Sequence, residues 1–181
     1  LLYLPAVFYG FAYDDYLHIF YNVDVVGAAQ GGVLGDLWAL FFRPFPPGNL
    51  YRPATLLSYR LNFLLTGLNP GAFHLVNLLL HVGCGLLVLF FLRDLLGRLW
   101  PAWCGAALFM LHPLQVEAVV NVAGRSELLD ASCGLASLLL FRAACAVPGP
   151  RRAGAGFLLA GLGLIAAALA KESALTFVIL I

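Results

Sequence analysis

Charge is sparse in this sequence. Ten basic and nine acidic side chains leave a net charge of +1, and charged residues make up 10% of the 181. A soluble domain carries about 25%. So little charge excludes an ordinary water-exposed surface. With 62% hydrophobic residues and a mean hydropathy of +0.94, the chain falls in the helical membrane class. There is no basic run, which excludes a nucleic-acid footprint. Cysteine is also scarce: Cys84, Cys104, Cys133 and Cys145 lie in apolar stretches. Their spacing fits neither a zinc site nor a redox motif, so they read as small core residues. HPLQVE lacks the HExxH spacing and a third ligand for zinc. GRSEL lacks the second glycine of a nucleophile elbow, and no 34-residue repeat is visible. The opening LLYLPAVFYG has no charged leader, so it is not read as a signal peptide. The chain starts on Leu1 and stops within LTFVILI, as a piece of a longer protein would.

What is present is long apolar runs. Residues 1–11 read as the end of a first span and residues 12–72 as a long extracytoplasmic loop. Residues 73–96, FHLVNLLLHVGCGLLVLFFLRDLL, extend ~36 Å as a helix, enough to cross a hydrocarbon layer of ~30 Å. Further spans are expected at 99–122, 127–147 and 154–170, and 174–181 begins another segment. His112-Pro113 interrupts the second of these, because proline disfavours helix at the residue before it, and a helix can restart at Pro113. This count puts RDLLGR and PGPRR inside, with residues 112–126 and Lys171-Glu172 outside. Arg93, Arg98, Arg142, Arg151 and Arg152 then fall inside, and the other five basic residues fall outside, a modest fit to the positive-inside rule. Two interfacial amphipathic helices are expected in the loop. One carries Leu34, Leu37, Trp38, Phe41 and Phe42, the other Leu57, Leu61, Leu64, Leu65 and Leu68. Each presents its apolar face to lipid or to protein.

The polar residues gather on the outer side. Asp14 and Asp15 open the loop. His74, Asn77 and His81 share one helical face, a pattern that most often joins helices. His112, Glu117, Asn121, Arg125, Glu127 and Asp130 surround the next outer turn, and Lys171 and Glu172 end the later span. Polar groups at membrane depth face a cavity or one another. Their one-sided distribution predicts a polar chamber at that end.

In order, FAYDDYLHIFYNVDV, YRPATLLSYRLN, PGAFHLVNLLLH, LFMLHPLQVEAVVNVAGRSELLD and LAKES resemble the membrane half of the transmembrane and TPR repeat-containing O-mannosyltransferases, a GT-C glycosyltransferase family. The resemblance covers nearly the whole chain. It implies an all-α integral membrane enzyme, a multi-span GT-C helical bundle. Such an enzyme moves mannose from dolichyl or another polyprenyl phosphate mannose to protein Ser or Thr hydroxyls. It implies the endoplasmic reticulum in a eukaryote and the plasma membrane in a bacterium. Its partners are membrane lipid, the lipid-linked donor and a protein acceptor. The family is similar in using an acidic residue of the first outer loop as base, which maps onto Asp14 or Asp15.

That chemistry suits the residues. A hydroxyl needs a base within ~3 Å to accept its proton. Adjacent carboxylates on an extended segment point opposite ways, so one serves and the other orients or holds structure; Asp15 is favoured as base. The departing lipid phosphate needs fixed cations. Arg125 and Lys171 are the first candidates, Arg52 and Arg60 the next. Glu117, Glu127 and Glu172 are placed to orient those cations or bind sugar hydroxyls, and His112 to donate to phosphate or sugar. The scheme requires no metal or cofactor. Two other readings use the same residues: a polytopic secondary transporter or channel, and a non-catalytic membrane scaffold.

Overall fold

The computed structural model describes residues 2–27, 35, 38–42 and 50–180. The described chain is helical, and three helices are long and apolar enough to cross a membrane. Residues Leu4–Phe8, where the end of a first span was expected, form a 3-10 helix. A π-helical turn at Tyr16–Phe20 and a short helix α1, Val23–Val26, follow. Helix α2, Pro53–Thr66, starts on proline, whose fixed φ suits a first helical position. Thr55, Leu56, Tyr59, Arg60 and Asn62 are buried, Leu57 is partly buried against the core, and Leu61, Leu64 and Leu65, with Leu68 just beyond the helix, are exposed. Most of the expected leucine face is therefore the outward one. Of the other expected amphipathic helix, Leu34 and Leu37 lie outside the described residues; Trp38 and Phe42 are exposed and Leu40 is buried.

Helix α3, Pro70–Leu96, is 27 residues long, or ~40 Å. It stops at Gly97, whose φ of +64° is a left-handed conformation that glycine adopts without steric cost. The stretch 99–122, expected as one span, is two helices: α4, Leu99–Leu111, and α5, Gln115–Val120. His112 between them is extended, as its place before Pro113 requires. A 3-10 turn, Val122–Gly124, leads into α6, Arg125–Ala146. Helix α7, Pro150–Ala170, returns beside α6. A second 3-10 turn, Glu172–Ala174, precedes α8, Leu175–Leu180.

Small residues let α6 and α7 pack closely. A Cβ on Gly156 would lie 2.7 Å from the Ala144 Cβ, and Ser137 donates to the Ala160 carbonyl at 2.6 Å. Without a hydrophobic force between helices in lipid, this close packing and the interhelical bond supply the adhesion. Helix α3 packs on both α4 and α6. At the far ends of α3 and α6, Arg142 pairs with Asp94. At the opposite end of the spans, Ile19, Val25, Leu40, Leu56, Tyr59, Phe73 and Val122 form a buried apolar cluster. It fixes the first loop and α2 against the top of α3 and the turn before α6.

Candidate functional site

Over that apolar cluster lies a polar cavity of about 290 Å³. Its lining comes from four places. The first loop gives Asp14 and His18, and the residue before α2 gives Arg52. The His112–Gly124 stretch gives Leu114, Glu117, Ala118, Asn121, Ala123 and Gly124, and the start of α6 gives Ser126 and Glu127. The volume is near the lower end of ligand sites, which run from about 300 Å³.

A strained turn delivers the aspartate pair. Tyr13 has φ +32°, uncommon for a residue with a side chain, and Asp15 N–H bonds back to the Ala12 carbonyl at 2.8 Å. The two carboxylates then part. Asp14 lines the cavity. Asp15 is completely buried; its oxygens accept from Ala12 N–H at 3.0 Å and from Ala123 N–H at 2.8 Å. Burial raises the Asp15 carboxyl above its ordinary value, against the lowering pull of those two bonds. Asp15 thus ties the first loop to the turn before α6, a placement that favours Asp14 for contact with a substrate. His18, four residues on, bonds through Nδ1 to the Asp14 carbonyl at 2.8 Å. A carbonyl only accepts, so Nδ1 carries the proton.

Gly124 has no room for a side chain. A Cβ there would lie 2.6 Å from the Ala118 carbonyl oxygen. This approach folds α5 back over the start of α6 and brings Glu117 and Glu127 to the same cavity.

Arg125 was expected to grip phosphate, but its guanidinium is turned inward. It is fully buried and donates to Asn77 Oδ1 at 2.9 Å, Asn62 Oδ1 at 3.0 Å, the Phe73 carbonyl at 2.9 Å and the Ser58 carbonyl at 3.4 Å. It lies over the Tyr59 and Phe73 rings at 4.9 and 5.3 Å, so cation–π attraction adds to the bonds. Arg125 fastens α2, α3 and α6 together. Arg60 is also buried, donating to the Val25 and Gly27 carbonyls at 2.7 and 2.8 Å. The polar face of α3 is used for packing as well. His74 meets the Gly10 carbonyl, Asn77 donates to the Asn121 carbonyl, and His81 meets the Met110 carbonyl.

Arg52 lines the cavity, and Lys171 is joined to the lining residue Glu127. Arg52 forks onto Glu172, Nε to Oε2 at 3.0 Å and Nη2 to Oε1 at 2.5 Å. That bond is the main cause holding Glu172 down at about 2. Lys171 meets Glu127 at 2.6 Å. His112 is exposed; its Nδ1 accepts from Leu114 N–H at 3.2 Å, beside the cavity. The site therefore unites Asp14, Arg52, Glu117 and Glu127, with Lys171 and Glu172 attached through ion pairs. It leaves Asp15, Arg60 and Arg125 in the interior. His18 and Ser126 were not foreseen. The four-residue step from Asp14 to His18 was the signal for the first.

Three helices long and apolar enough to cross a membrane, with a polar cavity beside the start of α6, mark the class as a helical protein suited to membrane insertion. No family model matches the chain, and no solved structure matches it. Curated relatives do match. The chain is 38% identical over 144 residues, 78% of its length, to the protein O-mannosyl-transferase Tmtc2 of Drosophila melanogaster, and covers 15% of that protein. It is 35% identical over 182 residues, 99% of its length, to Tmtc1 of the same organism, covering 21% of it. With human TMTC2 the identity is 33% over 178 residues, 97% of the chain and 21% of the relative. The chain is a homologue of these proteins, each named a protein O-mannosyl-transferase, over 78–99% of its own length. It spans only 15–21% of the length of these relatives.

Proposed function

We propose that the protein containing this chain is a GT-C glycosyltransferase that moves mannose from a polyprenyl phosphate, dolichyl phosphate in a eukaryote, to Ser or Thr hydroxyls of a protein. The reaction would take place on the lumenal or extracytoplasmic face, in the endoplasmic reticulum of a eukaryote. The observation that carries the reading is the polar cavity at one end of the spans, where Asp14 and Arg52 line the same space.

The roles follow from the atoms. Asp14 accepts the proton of the acceptor hydroxyl, whose oxygen forms the new bond to the anomeric carbon. The bond from that carbon to the phosphate oxygen breaks, and its electron pair stays with the lipid phosphate. Arg52 stabilises that growing charge, as a fixed guanidinium suits a phosphate. Glu117 and Glu127 receive sugar hydroxyls, Lys171 steadies Glu127, and His112 stands at the margin. Asp15, Arg60 and Arg125 are positioning residues. The exposed leucines of α2 provide an apolar flank for the prenyl chain. A test of the donor class is binding of polyprenyl phosphate mannose to the full-length protein. Arg52→Ala is expected to weaken binding at least about tenfold, the value of one lost charged hydrogen bond. Unchanged binding contradicts the assignment.

A further inference from the structure

Arg52, which lines the cavity, and Lys171, which pairs with the lining Glu127, are both already engaged. Lys171 is extended, with φ −157° and ψ 145°, so it and Glu172 point to opposite sides. One reaches Glu127 at the start of α6; the other reaches Arg52 before α2. The cavity is also lined by Asp14 and Glu117, so with Glu127 its lining carries three carboxylates beside the guanidinium of Arg52. An anion drawn to Arg52 meets a guanidinium edge filled by a carboxylate of the same two-oxygen geometry. The partners differ in access to water. The Arg52 side chain is 13% exposed and that of Glu172 is 61% exposed. Arg52 is held by its surroundings, whereas Glu172 can leave into solvent.

We infer that Glu172 is a built-in competitor for the phosphate of the lipid-linked donor: it occupies the Nε–Nη2 edge of Arg52 in the empty site and yields that edge when the phosphate binds. The inference rests on the donor reading above. Glu172 thereby sets donor affinity without touching the reacting atoms. It also favours ligands that bring a charge of their own, because a neutral prenyl alcohol has nothing to offer Arg52 in exchange. With its carboxyl held at about 2 by Arg52, the competitor stays ionised at neutral pH. The exchange is therefore driven by ligand and not by a proton.

The test uses the full-length protein in lipid nanodiscs, with polyprenyl phosphate as probe and the matching polyprenol as neutral control. Glu172→Gln and Glu172→Ala are expected to bind polyprenyl phosphate about three- to fivefold more tightly, the usual worth of an exposed ion pair. Polyprenol binding should not change, and the gain should vanish in an Arg52→Ala background. The donor KM should fall by the same ratio. Two results overturn the inference and are distinguishable. If Arg52→Ala weakens phosphate binding but neither Glu172 variant tightens it, Glu172 orients Arg52 and does not compete. If Arg52→Ala leaves phosphate binding unchanged, the donor reading falls and the competition falls with it.

Discussion

At Asp15 both carboxylate oxygens are used by backbone N–H groups, from Ala12 and Ala123. An asparagine there keeps one acceptor and turns an NH₂ group toward the other donor. Asp15→Asn is therefore expected to cost about 1–3 kcal/mol of stability, the penalty for a buried group left unmatched. It should lower the unfolding temperature of the full-length protein in detergent, while transfer by the folded fraction persists. The pH dependence has a definite sign. Burial raises the folded carboxyl above 3.8, so Asp15 costs least stability when protonated. The native protein should therefore gain stability relative to Asp15→Asn as pH falls through the interval between the raised value and 3.8. A constant difference between the two unfolding curves over that interval contradicts the burial argument. Sequence alone favours Asp15 as base by a small margin; the bond that holds Asp15 in the interior comes from Ala123, more than a hundred positions away. The inward turn of Arg125 is hidden in the sequence for the same reason. A lone arginine among charges looks like a ligand for phosphate until Asn62, Phe73 and Asn77 are found around it.

Among the elements, the helices were the legible part. Runs of apolar residues mark α3, α6 and α7, and His112-Pro113 marks the break before α5. These signals are local, and so they survive without knowledge of the fold. The inward face of α2 was not legible, since the sequence shows a leucine stripe but not which side is covered. The α6–α7 contact depends on small residues. Gly156→Leu would drive a side chain into Ala144, whose Cα is 3.3 Å and Cβ 2.7 Å from a Cβ at position 156. Overpacking of this kind costs about 1–3 kcal/mol. A lower unfolding temperature is expected, together with weaker donor binding, because Lys171 and Glu172 follow directly from α7. An unchanged unfolding temperature shows that the two helices can separate without loss.

At the scale of the molecule, ion pairs among the described residues hold both ends. Arg52–Glu172 and Lys171–Glu127 close the cavity end, and Arg142–Asp94 joins α3 and α6 at the other. The one-sided gathering of polar residues could be read from the sequence, because it depends only on counting spans. The pairing of Arg52 with Glu172, 120 positions apart, could not. The three apolar helices act as a frame, and the polar cavity is assembled by what lies at their ends: a strained turn, a broken helix and, through its ion pairs, a Lys-Glu step. The central claim is that Asp14, and not its neighbour, faces the substrate. It is tested most directly by measuring transfer of radiolabelled mannose from polyprenyl phosphate mannose to a Ser/Thr acceptor by the full-length protein and its Asp14→Asn variant. Loss of a general base should slow transfer by at least about a hundredfold with the unfolding temperature unaltered. Undiminished transfer by Asp14→Asn contradicts the claim.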